Sequence, residues 1–267
     1  MVELELKTEK MIGRKDGGIG WMIFNNPERR NALSLEMQEA IPRILGDFRD
    51  DPEVRVVVLA GAGGKAFVSG ADISEFDRRR ADPESIREYD AIGARASAAY
   101  RELDKPMIAM IEGYAMGGGL LTALRADLRI ASEGSRFGVP AAKLGLGYGF
   151  ASTKTLVDLI GPAHTRELLL TGGQFDAQTA LRMGLINRVV PAEELESTVR
   201  ELATVIAGNA PLTIRLVRAS VDESLRPAAE RDTERIQRMV DECFASADYI
   251  EGRAAFAEKR TPNFTGS

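Results

Sequence analysis

Three consecutive glycines at residues 117–119 lie between an apolar run at 107–111 and a leucine-rich segment at 120–124. This order predicts a strand that passes through a tight turn into a helix. Glycine lets another molecule approach the backbone closely, and the first N–H groups of a helix favour negative charge. The turn can therefore hold an oxyanion with backbone groups alone. Leu121, in the first helical turn, is apolar where a proton-transferring acid or base could stand.

A second turn of the same kind lies in residues 66–73, where Gly70 relaxes the backbone after an apolar strand pattern. Asp72 can cap a following helix, and the N–H of Ala71 can then point into a cavity as that of Gly118 can. Taken alone, this segment is only a capped helix start. Two such donor turns, each after a buried strand, form the usual geometry of an oxyanion hole.

Two adjacent arginines, Arg29 and Arg30, lie in a polar loop between a strand pattern and a helix pattern. Paired guanidinium groups can bind phosphates in bidentate fashion, although a solvated loop explains this segment better when it is taken alone. Residues 61–66 formally match a dinucleotide-binding turn. Residues 67–70 do not read as a helix start, however, and Ala66 replaces the hydroxyl residue that a phosphate-binding loop has after its lysine. We interpret this stretch as a plain turn.

Composition limits the class of protein. The 267 residues carry a net charge of −5, with 44% hydrophobic and 28% charged residues, which suits one large domain or a domain with an appendage. The acidic balance argues against a nucleic-acid partner. One cysteine, Cys243, and one histidine, His164, exclude an internal disulfide and multi-histidine metal sites, and we expect no metal. Without a signal peptide or a membrane-spanning run, the sequence predicts a cytoplasmic protein with no membrane partner.

The elements that must position these turns alternate between strand and helix in the first two thirds of the chain. Strands are predicted at about 3–6, 18–24, 54–60, 106–111, 127–131 and 186–190. Helices are predicted after Ser34 and at about 83–103, 153–160, 162–170, 177–183, 192–208, 212–224, 227–246 and 250–258. This pattern predicts an α/β core over residues 1–199 and a helical C-terminal region over 200–267, whose helices can serve subunit contacts or pack on their own core.

In combination, these segments resemble the crotonase superfamily, the enoyl-CoA hydratase/isomerase group. The resemblance runs from Ile19 to Phe264. Its motifs are Asn31-Ala32-Leu33, residues 66–73, residues 113–119, residues 127–131, Phe137-Gly138-Val139-Pro140, residues 170–172, residues 180–187 and the tail at 251–260. It implies a spiral of ββα repeats, a helical C-terminal region over 200–267 that serves trimerisation and completes the active site, and a homotrimer or a dimer of trimers. It also implies acyl-CoA thioester substrates whose thioester oxygen lies between the N–H groups of Ala71 and Gly118.

The same resemblance assigns the residues that surround the substrate. Coenzyme A would arrive as part of the substrate, so no separate cofactor is expected. Beside the catalytic candidates Ala71, Gly118 and Tyr148, the positions expected to bind substrate or coenzyme A are Arg29, Arg30, Ala32, Leu33, Ser69, Gly70, Asp72, Ile73, Gly117, Leu121, Ala141, Phe256 and Lys259.

The chain also departs from the family pattern. Hydratases of this family carry two glutamates, at the positions that Leu121 and Ala141 occupy here. The acid/base pair that adds water is therefore missing, and hydration by the family mechanism is not expected. Tyr148 matches by spacing a tyrosine that decarboxylating relatives use near the substrate's carboxylate, although those relatives often carry histidine at the position of Ala71. Gly149 stands where some relatives have a catalytic aspartate.

Three functions follow from this pattern. The first is an enzyme that stabilises a thioester enolate, a lyase such as a decarboxylase, because loss of carbon dioxide requires no base. The second is a hydratase or isomerase that recruits another acid, such as Glu75, Asp77 or Glu112. The third is a non-catalytic acyl-CoA-binding protein. Tyr148 is as readily a packed aromatic as a catalytic group.

Overall fold

The computed structural model describes residues 1–72 and 82–267, and these form two sheets and ten α-helices. The strands are β1 (Val2–Glu3), β2 (Met11–Asp16), β3 (Ile19–Phe24), β4 (Val56–Gly61), β5 (Ala66–Val68), β6 (Met107–Ile111), β7 (Tyr114–Met116), β8 (Leu128–Ser132), β9 (Arg136–Gly138), β10 (Phe175–Asp176) and β11 (Arg188–Val190). The helices are α1 (Leu35–Asp50), α2 (Pro83–Glu102), α3 (Gly118–Ala123), α4 (Ala141–Leu144), α5 (Phe150–Thr171), α6 (Ala177–Arg182), α7 (Leu195–Ala207), α8 (Pro211–Ser224), α9 (Thr233–Ala245) and α10 (Ala247–Glu258).

In the described part of the chain, the larger sheet has the strand order β1-β2-β3-β4-β6-β8-β11 and the smaller sheet the order β10-β9-β7-β5. The larger sheet is antiparallel from β1 to β3 and parallel from β3 to β11. Each of β4, β6 and β8 is followed directly by a short strand of the smaller sheet, namely β5, β7 and β9. This repeated strand–strand–helix order confirms the predicted α/β fold of ββα repeats.

The larger sheet is covered on both faces, which explains its unbroken apolar strands. In β4, Val57 and Leu59 face a core shared with α1 and the smaller sheet. Val56 and Val58 face the other way, against the buried side of α7. Helix α1 begins after Ser34, whose side chain accepts a hydrogen bond from the N–H of Met37 at 3.3 Å, as its sequence predicts.

The predicted boundary between residues 199 and 200 falls inside α7. This helix packs on the larger sheet through Leu195, Val199 and Ala203. It is also tied there by Arg200, which lies 4.7 Å from the centroid of the Trp21 ring. The division into a core and a C-terminal helical region remains a prediction, and the helices beyond α7 begin with α8.

Two element predictions are corrected. The stretch predicted as one helix at 227–246 is a short 3₁₀ turn followed by α9. Helix α10 begins at residue 247 rather than 250. The two helices predicted at 153–160 and 162–170 are confirmed as the two halves of α5, which are separated by a kink at Gly161, whose φ is 72°. Within residues 1–72 and 82–267, no helix is both long and apolar enough to cross a membrane, and no cluster of three His, Cys, Asp or Glu side chains could hold a metal ion.

Candidate active site

The two glycine turns predicted from the sequence come together at one edge of the smaller sheet. They follow β5 and β7, which are parallel neighbours. A Cβ atom built on Gly118 would lie 3.7 Å from the backbone nitrogen of Ala71. Ala71 and Gly118 are both partly exposed. The two backbone donors are therefore adjacent and open to a ligand.

Close packing of backbone on backbone fixes this geometry. Gly119 lies against β5, and a Cβ atom at this position would overlap the carbonyl oxygen of Val68. Gly117 has a φ of 52° and donates its N–H to the carbonyl oxygen of Gly138 at 2.8 Å. Glycine is required at both positions, for space at the first and for conformation at the second. Together they hold the start of α3 against the end of β5.

Both donors point away from internal partners. A parallel bridge joins Leu33 to Ala71, and it uses the carbonyl of Gly70 and the N–H of Asp72, so that the N–H of Ala71 faces the other way. Gly118 is the first residue of α3, where an N–H has no acceptor within the helix. Among the described residues, neither N–H has a hydrogen-bond acceptor. An oxygen placed between them would accept both hydrogen bonds.

The arginine loop is held beside the same turn. Ser69 donates its N–H to the carbonyl oxygen of Arg30 at 3.1 Å, and its hydroxyl lies 3.4 Å from the carbonyl oxygen of Arg29. Both arginine side chains are exposed, and neither forms an ion pair with any residue of the described ranges. The Arg30 guanidinium lies 5.5 Å from the centroid of the Tyr114 ring. Two positive charges are thus available at the surface next to the donor turns.

Asn31 organises this loop, a role that our sequence analysis missed. Its side chain is fully buried and donates to the carbonyl oxygens of Ala62 and Ala66, at 3.0 and 2.7 Å. It also accepts a hydrogen bond from the N–H of Asn26 at 2.8 Å. Its φ of 56° lies in the left-handed region that asparagine tolerates better than most residues. The sequence feature that could have indicated this role is an asparagine between a predicted strand and a helix N-cap.

The positions that lack glutamate flank the donor turn. Leu121 lies in the first turn of α3 and is half-buried. Ala141 begins α4, three residues after Gly138, whose carbonyl holds Gly117. Both side chains are apolar, and that of Ala141 packs against the main core. Neither can transfer a proton.

Tyr148 lies just before α5 and packs against the main core. Its hydroxyl is buried and has no hydrogen-bond partner in the part of the chain that the structure describes. Burial raises the pKa of Tyr148 to about 12, so the hydroxyl keeps its proton at neutral pH. An unpaired buried hydroxyl costs free energy, which a ligand group that accepts its hydrogen bond would recover.

The other predicted residues are spread over the molecule, and of these Leu33 lies at the donor turn through its bridge to Ala71. Phe256 is 87% exposed, in a groove between α8, α9 and α10, and Lys259 ends α10 with a φ of 55°. Glu112 lies beside Gly64, before β7, whereas Gly118 follows the end of that strand. It is therefore a poor substitute for the missing acids. Ile73, Glu75 and Asp77 lie outside the described residues, and Ala32 and Leu33 are half-buried beside the Ser34 cap.

The chain matches the family model for enoyl-CoA hydratase/isomerase over residues 14–267. It belongs to the enoyl-CoA hydratase/isomerase family. This is an enzyme family that acts on CoA thioesters, and the resemblance seen in the sequence motifs is confirmed. Membership gives the two adjacent donor turns a chemical context that geometry alone does not supply.

Similar proteins match along nearly their whole length. A short-chain-enoyl-CoA hydratase from Clostridium acetobutylicum is 34% identical over 96% of this chain and 97% of its own. A carnitinyl-CoA dehydratase from Proteus mirabilis is 35% identical over 94% of this chain and 96% of its own. The crystal structure of an enoyl-CoA hydratase/carnithine racemase from Magnetospirillum magneticum superposes with a TM-score of 0.90 at 34% identity, covering 98% of this chain and 97% of the other.

Proposed function

We propose that this member of the enoyl-CoA hydratase/isomerase family binds an acyl-CoA thioester and stabilises its enolate. The thioester oxygen would accept hydrogen bonds from the backbone N–H groups of Ala71 and Gly118. The observation that carries this proposal is the convergence of two N–H groups that have no acceptor among the described residues. A Cβ atom built on Gly118 would lie 3.7 Å from the backbone nitrogen of Ala71. Arg29 and Arg30, exposed beside the turn, suit the phosphates of coenzyme A.

We further propose that the reaction is a decarboxylation of a malonyl-type CoA thioester. The bond between the α-carbon and the carboxylate breaks, carbon dioxide leaves, and the electron pair moves onto the thioester as an enolate. The enolate then takes a proton at the α-carbon. No base is needed, which fits a site where Leu121 and Ala141 replace acids, and an apolar wall favours loss of the charged carboxylate.

Tyr148 supplies the side chain for this reaction. Its hydroxyl is buried and protonated, and it has no partner among the described residues. It can therefore donate a hydrogen bond to the substrate carboxylate or give its proton to the enolate, recovering the proton from solvent afterwards. The cost of leaving that hydroxyl unpaired is recovered when substrate is bound.

Hydration is the second candidate, because similar proteins at 34–35% identity are named as a hydratase and a dehydratase. It would require an acid other than a glutamate at position 121 or 141, where this chain has leucine and alanine. Of the acids considered for this role, Glu112 lies at the opposite end of β7 from Gly118, and Glu75 and Asp77 lie outside the described residues. Formation of 3-hydroxybutyryl-CoA from crotonyl-CoA would favour this alternative.

Gly118→Ala tests the oxyanion site directly. Gly118 has an ordinary φ, and the new Cβ would meet only the Ala71 nitrogen within 4 Å, so the fold should tolerate it. The methyl group would occupy part of the space that the thioester oxygen needs. We expect turnover to fall by roughly 10²–10³-fold, the usual cost of one lost donor.

A ligand pair controls for general damage to binding. A thioester and its thioether analogue, which lacks the carbonyl oxygen, are compared by calorimetry on both proteins. Wild type should prefer the thioester, and Gly118→Ala should bind the two equally. If the variant prefers the thioester over the thioether as strongly as wild type does, Gly118 does not contact the thioester oxygen.

A further inference from the structure

A cavity of about 190 Å³ lies at the N-terminal ends of the parallel strands of the larger sheet, whereas the donor turns lie beyond their C-terminal ends. It is lined by the loops that precede β4 and β6, whereas the chain leaves the far ends of these parallel strands toward Ala71 and Gly118. The other walls are the end of α7, the start of α8 and the tail residues Thr265 and Gly266. The cavity therefore joins the core to the C-terminal helical region and to the tail.

Its lining is rich in positive charge. Arg55, Lys105 and Arg215 face it, against one carboxylate, that of Asp104, which is exposed. Arg215 is already neutralised, because its Nη2 contacts both carboxylate oxygens of Glu242 at 2.9 Å. Arg55 and Lys105 are not paired with a carboxylate in the described ranges. Within the lining, the two positive charges of Arg55 and Lys105 therefore face one negative charge, and Asp50 and Asp51 also act on Lys105 from outside the lining.

The two cations keep donors for a ligand. Arg55 uses one Nη2 hydrogen bond, to the carbonyl oxygen of Phe264 at 3.1 Å. Lys105 gives two N–H groups to the carbonyl oxygens of Phe48 and Asp51, both at 2.6 Å, which leaves a third. Burial lowers the pKa of Lys105, so its positive charge lies in a partly desolvated place where a nearby anion is favourable.

The backbone adds to this field. Helix α8 has 14 residues and begins at the cavity, with Asn209, Pro211 and Leu212 in the wall. Its N-cap is Ala210, which has no side-chain oxygen to pair with the first N–H groups. The positive end of the α8 dipole therefore reinforces the charges of Arg55 and Lys105.

We propose that this cavity binds a small oxyanion, of phosphate or carboxylate type, between Arg55, Lys105 and the start of α8. Its volume is below the roughly 300–1,000 Å³ of typical clefts for larger organic ligands, so a nucleotide or a whole CoA molecule does not fit. A bound anion would bridge the core loops to α8 and the tail. It would thereby stabilise the docking of the C-terminal region on the core.

Isothermal titration with inorganic phosphate, pyrophosphate and citrate tests this site and separates the two sources of oxyanion. Two isosteric variants shift the cavity charge in opposite directions at exposed positions. Asp104→Asn should tighten binding and Asn209→Asp should weaken it, each by about threefold to tenfold for one unit charge at this range. Because neither residue belongs to the acyl-CoA site, acyl-CoA affinity should stay unchanged in both variants.

Two controls locate the site. Anion binding should persist when the protein is saturated with acyl-CoA, and hydrogen exchange should slow at residues 205–215 and 261–267. Displacement of the anion by acyl-CoA would place it at Arg29 and Arg30 instead and overturn the proposal. The absence of saturable anion binding at millimolar concentration would also overturn it. A change in anion affinity of the same sign and size in Asp104→Asn and Asn209→Asp would do so too. None of these results bears on whether the donor turns stabilise an enolate.

Discussion

Tyr148 is the residue at which ligand binding and chemistry can be separated. Tyr148→Phe keeps the ring and removes only the buried hydroxyl that lacks a partner among the described residues. If this hydroxyl orients the carboxylate or protonates the enolate, turnover of a malonyl-type CoA thioester should fall by roughly 10²–10⁴-fold. Affinity for a saturated acyl-CoA should not change. Steady-state kinetics and calorimetry on the same preparation measure both.

Stability provides the control for this variant. A buried hydroxyl without a partner contributes no hydrogen bond, so its removal should leave the free energy of unfolding unchanged or slightly higher. A loss of activity could then not be explained by unfolding. Wild-type turnover of every active substrate by Tyr148→Phe would identify Tyr148 as a packed aromatic and take away the side-chain support for decarboxylation.

Among single residues, the sequence predicted which backbone turns meet better than it predicted the surroundings of side chains. The glycine turns at Ala71 and Gly118 come together in the structure, and their role as hydrogen-bond donors to a substrate remains a prediction. The burial of the Tyr148 hydroxyl depends on residues distant in the chain and could not be predicted. Closeness along the chain was a poor guide to the position of Glu112, because β7 lies between this residue and the donor turn at Gly118.

The loop that holds Arg29 and Arg30 depends on the hydrogen bonds of one side chain, that of Asn31. Asn31→Ala would remove three hydrogen bonds and leave the carbonyl oxygens of Ala62 and Ala66 without this donor. We expect the free energy of unfolding to fall by about 2–4 kcal/mol. Affinity for acyl-CoA should fall as well, because the arginines lose their fixed position. Urea denaturation and calorimetry measure the two effects.

Asn31→Gly separates backbone strain from lost hydrogen bonds. Asn31 has a φ of 56°, where alanine is strained by about 1–2 kcal/mol and glycine is not. Glycine should therefore be less destabilising than alanine, yet bind acyl-CoA as weakly. Full acyl-CoA affinity in either variant would show that Asn31 does not position the arginines.

Long buried elements could be predicted from the sequence, and short ones could not. Strand β4 is a β-branched run covered on both faces, and its pattern was correctly predicted. Strands β5, β7 and β9 have three residues each, too few to show a period, so the smaller sheet was missed although it positions both turns. Strand β2, with the residues Arg14, Lys15 and Asp16, mixes buried apolar and partly exposed charged positions and was missed for that reason.

For the whole molecule, we predict a trimer or a dimer of trimers. The C-terminal helices expose large apolar side chains, among them Phe244 at 61%, Ile250 at 69% and Phe256 at 87%. Phe244 and Phe256 line the same groove, and exposed apolar surface of this kind is typical of subunit contacts. Light scattering at micromolar concentration should give three or six times the chain mass of 29.0 kDa. A mass of one chain would contradict the prediction.

A charge placed on this surface provides the matched test. Phe244→Glu should shift the assembly toward monomer, because a carboxylate would be buried in the contact. Val2→Glu changes another exposed apolar residue, outside the C-terminal helices, and should leave the mass unchanged. If both variants keep the wild-type mass, the surface around Phe244 is not the contact. If both lose it equally, the effect is not specific to the C-terminal helices.

The central claim concerns the reaction, and one product analysis on the intact assembly tests it most directly. Malonyl-CoA, methylmalonyl-CoA and crotonyl-CoA are incubated separately with the protein, and the CoA thioesters are resolved by mass spectrometry. Our account predicts loss of carbon dioxide from a malonyl-type substrate, giving the corresponding saturated acyl-CoA, and little hydration of crotonyl-CoA, since Leu121 and Ala141 cannot transfer protons. Rapid formation of 3-hydroxybutyryl-CoA, with the malonyl-type substrates left intact, would contradict it.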